Sequence, residues 1–287
     1  MYHLFGFKAC IKNYYCLSNK FNSEKIMTTE QLKTQYLAFL SVHLPKMLLP
    51  ENIDINLSDD IEMGNRLSEC YRVGSSLNDK MQQEVMGSPM SLEDGARLIA
   101  LTKQSLAALE TKHSEYYQLF KLAIHTIFFR NSTKAAAGST SSALGVIWIG
   151  NLAKTNVGDF LELFIHELTH NLVFVDELCH AHYNSYESLS QKKNFARSAI
   201  LKDQRPLDKV IHSIVVAAEI FLARKTFLSD IGPVKIHPCS EKLREAILAS
   251  IHSVLAIDDI NCLLLPRAFE ILNRVKTVIA TSDMVTL

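Results

Sequence analysis

Apolar side chains recur every three or four positions along most of the 287-residue chain, a period that predicts a mostly helical protein. The spacing predicts helices over 29–45, 59–86 and 91–115, separated by Pro45, Pro50 and the Gly87-Ser88-Pro89 breaker. Two of these helices carry start signals. Thr28 stands three residues before Gln31, and Ser91 three before Asp94, each a capping-box arrangement. The pattern changes past Leu122. Segments 123–129 and 144–149, rich in Ile, Phe, Val and Trp, read as strands on either side of a small polar loop at 138–142. A strongly apolar stretch follows, with Phe160, Leu163, Phe164, Leu168, Leu172 and Val173 at helical spacing. Another helix opens at Arg205-Pro206-Leu207, with proline in its first turn and Val210, Ile211, Ile214, Val215 and Phe221 on its apolar face. Beyond Leu228, Gly232-Pro233 and His237-Pro238 act as breakers, and helices over 239–255 and about 258–281 complete the chain. The fold class expected is α+β, predominantly helical, with a small sheet beside the apolar helix.

Residues 1–26 hold only short apolar runs broken by lysine, too polar for a secretory signal. They are expected to form a poorly ordered extension. A single domain is expected over 27–287, with 120–225 carrying the site.

Composition narrows the function classes. Thirty basic residues balance thirty acidic ones, so no basic field is available for nucleic acid or an anionic membrane surface, and neither is expected as a partner. No apolar run is long enough to span a bilayer; even 210–223 is interrupted by His212, Ser213 and Glu219. The six cysteines include no Cys-x-x-Cys pair, which argues against a zinc ribbon or a redox motif and points to a reduced, cytoplasmic setting.

The candidate chemistry lies in Phe164-Ile165-His166-Glu167-Leu168-Thr169-His170, a His-Glu-x-x-His motif inside a predicted helix. Residues four apart on a helix lie about 40° apart around the axis and about 6 Å along it, so the two rings converge on one point. Neutral imidazoles there suit a divalent metal, zinc or iron, while Glu167 faces the same opening without having to be a ligand. At the chain's histidine and glutamate frequencies, chance places the motif in about 2% of such chains, so a metal is the stronger reading. The strand ahead of the helix adds an expectation that a sheet edge holds an extended peptide, against the blander one of a hairpin covering the helix. His43 and His113 have no partner at metal spacing and are read as surface or core residues.

Two histidines are too few for a metal site, and the third ligand is open. Asp176 stands six residues past His170, where metzincins have a ligand, but Val173 replaces the glycine that turns the chain there. Asp176 and Glu177 fit better as carboxylates that orient a ligand histidine. His212 and Glu219, two turns apart on one helix, are polar groups within an apolar face and need partners when buried.

Together, His166-Glu167-Leu168-Thr169-His170-Asn171, Phe174-Val175-Asp176-Glu177, the run from Ser141 to Ile149 and Arg205-Pro206-Leu207 with His212 resemble the HExxH-type peptide-modifying proteins. That family is associated with the maturation of ribosomally made peptides. The resemblance covers roughly residues 138 to 225 and implies an iron(II)- and 2-oxoglutarate-dependent peptide β-hydroxylase, with a ribosomal precursor peptide as partner. It implies His166, His170 and His212 as metal ligands, unless Asp176 or Glu219 replaces His212 to complete two histidines and a carboxylate. The far carboxylate of 2-oxoglutarate needs a basic side chain, for which Arg205, or else Arg197, is the candidate. Two alternatives stand beside it. One is a zinc metallopeptidase with Glu167 as general base; the other is a metal-free helical binding protein.

Overall fold

The computed structural model describes residues 1–19, 28–73, 86–132, 134–150, 155–230, 232 and 234–281. In chain order the first elements are α1 (Tyr2–Phe5), α2 (Phe7–Ser18), α3 (Thr29–His43), β1 (Asn56–Ser58), α4 (Ile61–Val73), α5 (Leu92–Lys112) and α6 (Ser114–Ala123). They are followed by β2 (Thr126–Arg130), β3 (Ala137–Gly138), β4 (Val146–Gly150), α7 (Val157–Cys179), α8 (Tyr186–Leu189), β5 (Ala196–Arg197) and β6 (Gln204–Arg205). The last are α9 (Leu207–Thr226), α10 (Ser240–Leu255), α11 (Ile260–Leu263) and α12 (Pro266–Thr281). The protein is therefore α+β and mostly helical, and no described helix is long and apolar enough to cross a membrane.

The architecture turns on α7. Asn156 and Asp159 form a reciprocal capping box at its start. Most of its 23 residues are buried, polar side chains among them. It packs against α9, α5, α2 and α6. Its buried polar side chains need partners, and they have them. Thr169 donates to the Ile165 carbonyl at 2.7 Å, Asp159 accepts the Lys235 amide at 2.8 Å, and Asp176 accepts from Asn13, His182 and Arg267.

The main sheet has the order β1-β2-β4-β3. β1, β2 and β4 run parallel, with Ile127 opposite Ile147 and Phe128 opposite Trp148, while β3 lies antiparallel on β4 at the edge. β2 and β4 are buried on both faces, the burial that continuous apolar runs in parallel strands reflect. The two predicted strands are thus not a hairpin. Their edge toward the site is β3, which ends on Gly138, the first residue of the segment expected to be a loop.

Three further expectations change. The first 26 residues are not a loose extension from the start: α1 and α2 bury Met1, Leu4, Cys10, Tyr14 and Leu17 in the common core, and 20–27 lie outside the described residues. The 91–115 helix breaks at His113, whose Nδ1 accepts the Tyr116 amide and starts α6. The last helix begins at Pro266, with α11 a separate turn before it. Of the helix expected over 59–86, α4 covers Ile61–Val73 and 74–85 lie outside the described residues.

Candidate metal centre

α7 brings His166 and His170 together one turn apart, with their Nε2 atoms 3.2 Å from each other. The far side of each ring meets another imidazole. His166 Nδ1 lies 2.9 Å from His237 Nε2, and His170 Nδ1 lies 3.1 Å from His212 Nδ1. Each outer imidazole then meets a carboxylate: His237 Nδ1 lies 2.9 Å from Glu162 Oε2, and His212 Nε2 lies 3.0 Å from Glu177 Oε1. Four rings therefore form one chain with a carboxylate at each end.

The end groups decide where the protons are. An ionised carboxylate only accepts, so His237 donates from Nδ1 and His212 from Nε2. With both of those rings neutral, the remaining nitrogen of each accepts, His166 and His170 donate from their own Nδ1, and a lone pair on each Nε2 faces the other. Burial, with His237 adding to it for His166 and the neighbouring His166 and His212 for His170, holds both rings well below their ordinary pKa. Both are therefore held in the neutral form. Two lone pairs at 3.2 Å are compatible with a cation between them, since two bonds of about 2.0–2.1 Å would meet there at roughly 100°.

The pair fits a metal, but a full ligand set does not close around it. Among the described residues, no group of three or more His, Cys, Asp or Glu side chains forms a metal-holding cluster. His212 reaches the pair through the ring of His170, on the side away from His166. Asp176 is engaged with Asn13, His182 and Arg267, so the histidine it orients is His182. Glu219 is turned to the start of α1, where it accepts the His3 and Leu4 amides and pairs with the Met1 amino group. Glu177 does hold a site histidine, His212. His43 stacks on Phe39.

Glu167 is buried beside the pair, with Oε1 3.9 Å from His166 Nε2. Burial pushes its carboxyl up to about 8, against the hydrogen bond that Ser139 donates to Oε2 at 2.7 Å. Asn171 donates to Ser139 Oγ at 3.0 Å and accepts the Gly145 amide at 2.8 Å, tying the β3–β4 segment to the motif helix.

These groups face a cavity of about 340 Å³. Its charged lining is Lys134, Arg205, Lys209 and Glu167, a cationic majority, and its apolar lining includes Trp148, Leu163, Phe174 and Ile236. Arg205 lines this cavity; Arg197 is exposed and does not. Sequence reasoning missed His237, read as part of a breaker, and Glu162, Ser139 and Lys209. Glu162 alone had a signal, standing four residues before His166 and so on the same helix face.

Comparison with known proteins finds no family model that matches the chain and no curated protein similar to it.

Proposed function

We propose that the protein is a metal-dependent peptide-modifying enzyme, an iron(II)- and 2-oxoglutarate-dependent peptide β-hydroxylase acting on a ribosomally made peptide. The observation that carries the reading is the pair of Nε2 atoms 3.2 Å apart at a cavity whose few charged lining residues are mostly cationic. His166 and His170 hold the metal, and His212, in contact with His170, is the third histidine the resemblance names. Iron(II) with 2-oxoglutarate supplies the oxygen chemistry when bound. The chain's own residues bind and orient. Arg205 offers a planar fork to the distal carboxylate of 2-oxoglutarate, with Lys209 and Lys134 adding positive charge. Trp148, Leu163 and Phe174 limit water around the reacting groups.

β3 supports a peptide substrate. The Gly150 amide donates to the Ala136 carbonyl at 2.7 Å, so by the alternation of an antiparallel ladder the peptide groups of Ala137 face away from β4. Residues 134–140 line the cavity, and an extended peptide adds to such an edge through main-chain hydrogen bonds. A sheet edge followed by a histidine-pair helix is also the order of elements in zincins, an analogy of arrangement alone.

The test is anaerobically purified full-length protein given iron(II), 2-oxoglutarate, oxygen and a candidate precursor peptide. Mass spectrometry is expected to show one added oxygen on an uncut chain, dependent on 2-oxoglutarate. One observation favours a second reading, a zinc metallopeptidase: Glu167 is buried beside His166, where the charge of a bound metal would lower its raised carboxyl pKa and let the ionised form take a proton from water. Peptide cleavage with zinc, abolished in Glu167→Gln, selects that reading.

A further inference from the structure

We propose that Trp148 is a substrate-contacting residue whose indole N–H donates to a side chain of the peptide docked along β3, and that this side chain carries an acceptor oxygen on an apolar stem. The inference rests on the peptide reading of β3 above and uses neither the metal nor the protonation of any histidine. Gly138 on β3 and Trp148 on β4 are cross-strand partners, and directly opposite residues share one face of a sheet. Gly138 has no side chain there, and the indole takes the space: the atom that a Cβ on Gly138 would strike first is Trp148 Nε1, followed by Cε2 and Cδ1. At its other end the ring reaches Gly150, where Cζ3 would lie 3.5 Å from an added Cβ. The indole therefore extends from β4 across to the edge strand, with its nitrogen over Gly138.

That nitrogen is a donor without an acceptor. Trp148 is 3% exposed, and among the described residues no hydrogen bond reaches its indole nitrogen. Buried indole N–H groups ordinarily find a partner, and Trp148, Gly138 and Ser139 line the same cavity, so a bound molecule can supply one there. A strand added to β3 turns every second side chain to the face that carries Trp148. The stem of such a side chain meets Ile200 and Leu201, which line the cavity from the loop between β5 and β6. An exposed leucine is ordinary by itself; Leu201 is 40% exposed in a loop that hydrogen bonds hold in place. The Ser198 amide donates to the Asp203 carbonyl at 2.9 Å and the Lys202 amide to the Ser198 carbonyl at 3.0 Å. The Ala199 amide donates to Ser213 on α9, and Ser250 on α10 donates to the Arg197 carbonyl. Lys134 and Lys209 on the same lining disfavour a cationic tip, so an oxygen acceptor fits where an ammonium does not.

The experiment selects random heptapeptides displayed on phage against the purified full chain, then measures synthetic copies of the enriched sequences. Enriched peptides are expected to share one position occupied by Gln, Glu, Thr or Tyr, with Lys and Arg excluded. Because the chain has a single tryptophan, its indole nitrogen-15 resonance reports on this contact alone, and saturating peptide is expected to move the indole proton downfield. Replacing Trp148 by benzothienylalanine keeps the shape of the ring and removes the donor; affinity is expected to fall about 3- to 10-fold. Leu201→Asp is expected to weaken binding by a similar factor, since it removes apolar surface that the stem covers, with circular dichroism confirming the fold of both proteins. An indole resonance that stays in place at saturation, an unchanged affinity in the benzothienylalanine protein, or enrichment of Lys, Arg or purely hydrocarbon residues at the shared position would each overturn the proposal. Failure of the peptide reading looks different: no heptapeptide is enriched over a blank surface, or copies N-methylated at each backbone position in turn all bind as tightly as the originals, and then the β3 edge and this inference fall together.

Discussion

Asp176→Asn tests how α7 is anchored. The Asp176 side chain is wholly buried and accepts from Arg267 at 2.7 and 2.9 Å, from His182 at 2.8 Å and from Asn13 at 2.7 Å, so one carboxylate joins α7 to α12 and α2. Burial alone would raise its pKa, but the hydrogen bonds from Arg267 and His182 outweigh that and hold the carboxyl well below its ordinary value of 3.8. Removing one partner of a buried pair costs about 3–5 kcal/mol. Arg267 keeps Glu270 at 2.8 Å and is 18% exposed, so the cation left behind is partly satisfied and the lower end applies, about 3 kcal/mol. With an unfolding entropy of roughly 2.1 cal/mol/K per residue, that is a fall of about 5 °C in Tm. The assay is urea and thermal unfolding followed by circular dichroism across pH. A carboxyl whose folded pKa lies below its unfolded value stabilises the fold above that unfolded value and loses the effect as acid protonates it. The gap between parent and variant should therefore be constant near neutral pH and narrow as pH falls below 3.8. A Tm within 1 °C or so of the parent at pH 7, or a gap that widens in acid, would refute the account.

The remaining predictions concern the site. His166→Ala or His170→Ala should remove most bound metal, since each deletes one of two facing nitrogens; metal analysis of the purified variants would contradict this if contents matched the parent. Glu167→Gln should retain metal and lower hydroxylation by about 10- to 100-fold, whereas a peptidase would lose about 10²- to 10⁴-fold; steady-state turnover decides between them. Arg205→Gln should raise the KM for 2-oxoglutarate more than it lowers kcat, and an unchanged KM would remove Arg205 from co-substrate binding. Gly138→Ala should displace the edge strand, because a Cβ there runs into the Trp148 indole; tryptophan fluorescence and the peptide KM should both change, and neither moving would argue against β3 as the docking edge.

Much of the scaffold was legible in the chain itself, because it depends on neighbours close in sequence. The spacing of His166 and His170 on an apolar helix sets their convergence, the Thr28–Gln31 pair forms the capping box it spells, and the stripe from Val210 to Phe221 becomes the buried face of α9. What sequence could not decide was which distant group each polar side chain meets. Continuous apolar strands announce burial but not direction, so a parallel β2–β4 pair reads the same as a hairpin, and the edge fell to Ala137 and Gly138 at the start of a polar loop. The first 26 residues were expected to form a poorly ordered extension, yet the apolar residues of α1 and α2 enter a core shared with α7, α9 and α12. His237 looked like part of a breaker until Glu162 was beside it. The carboxylates at the two ends of the histidine chain are brought to His237 and His212 by packing between segments that local sequence patterns do not connect.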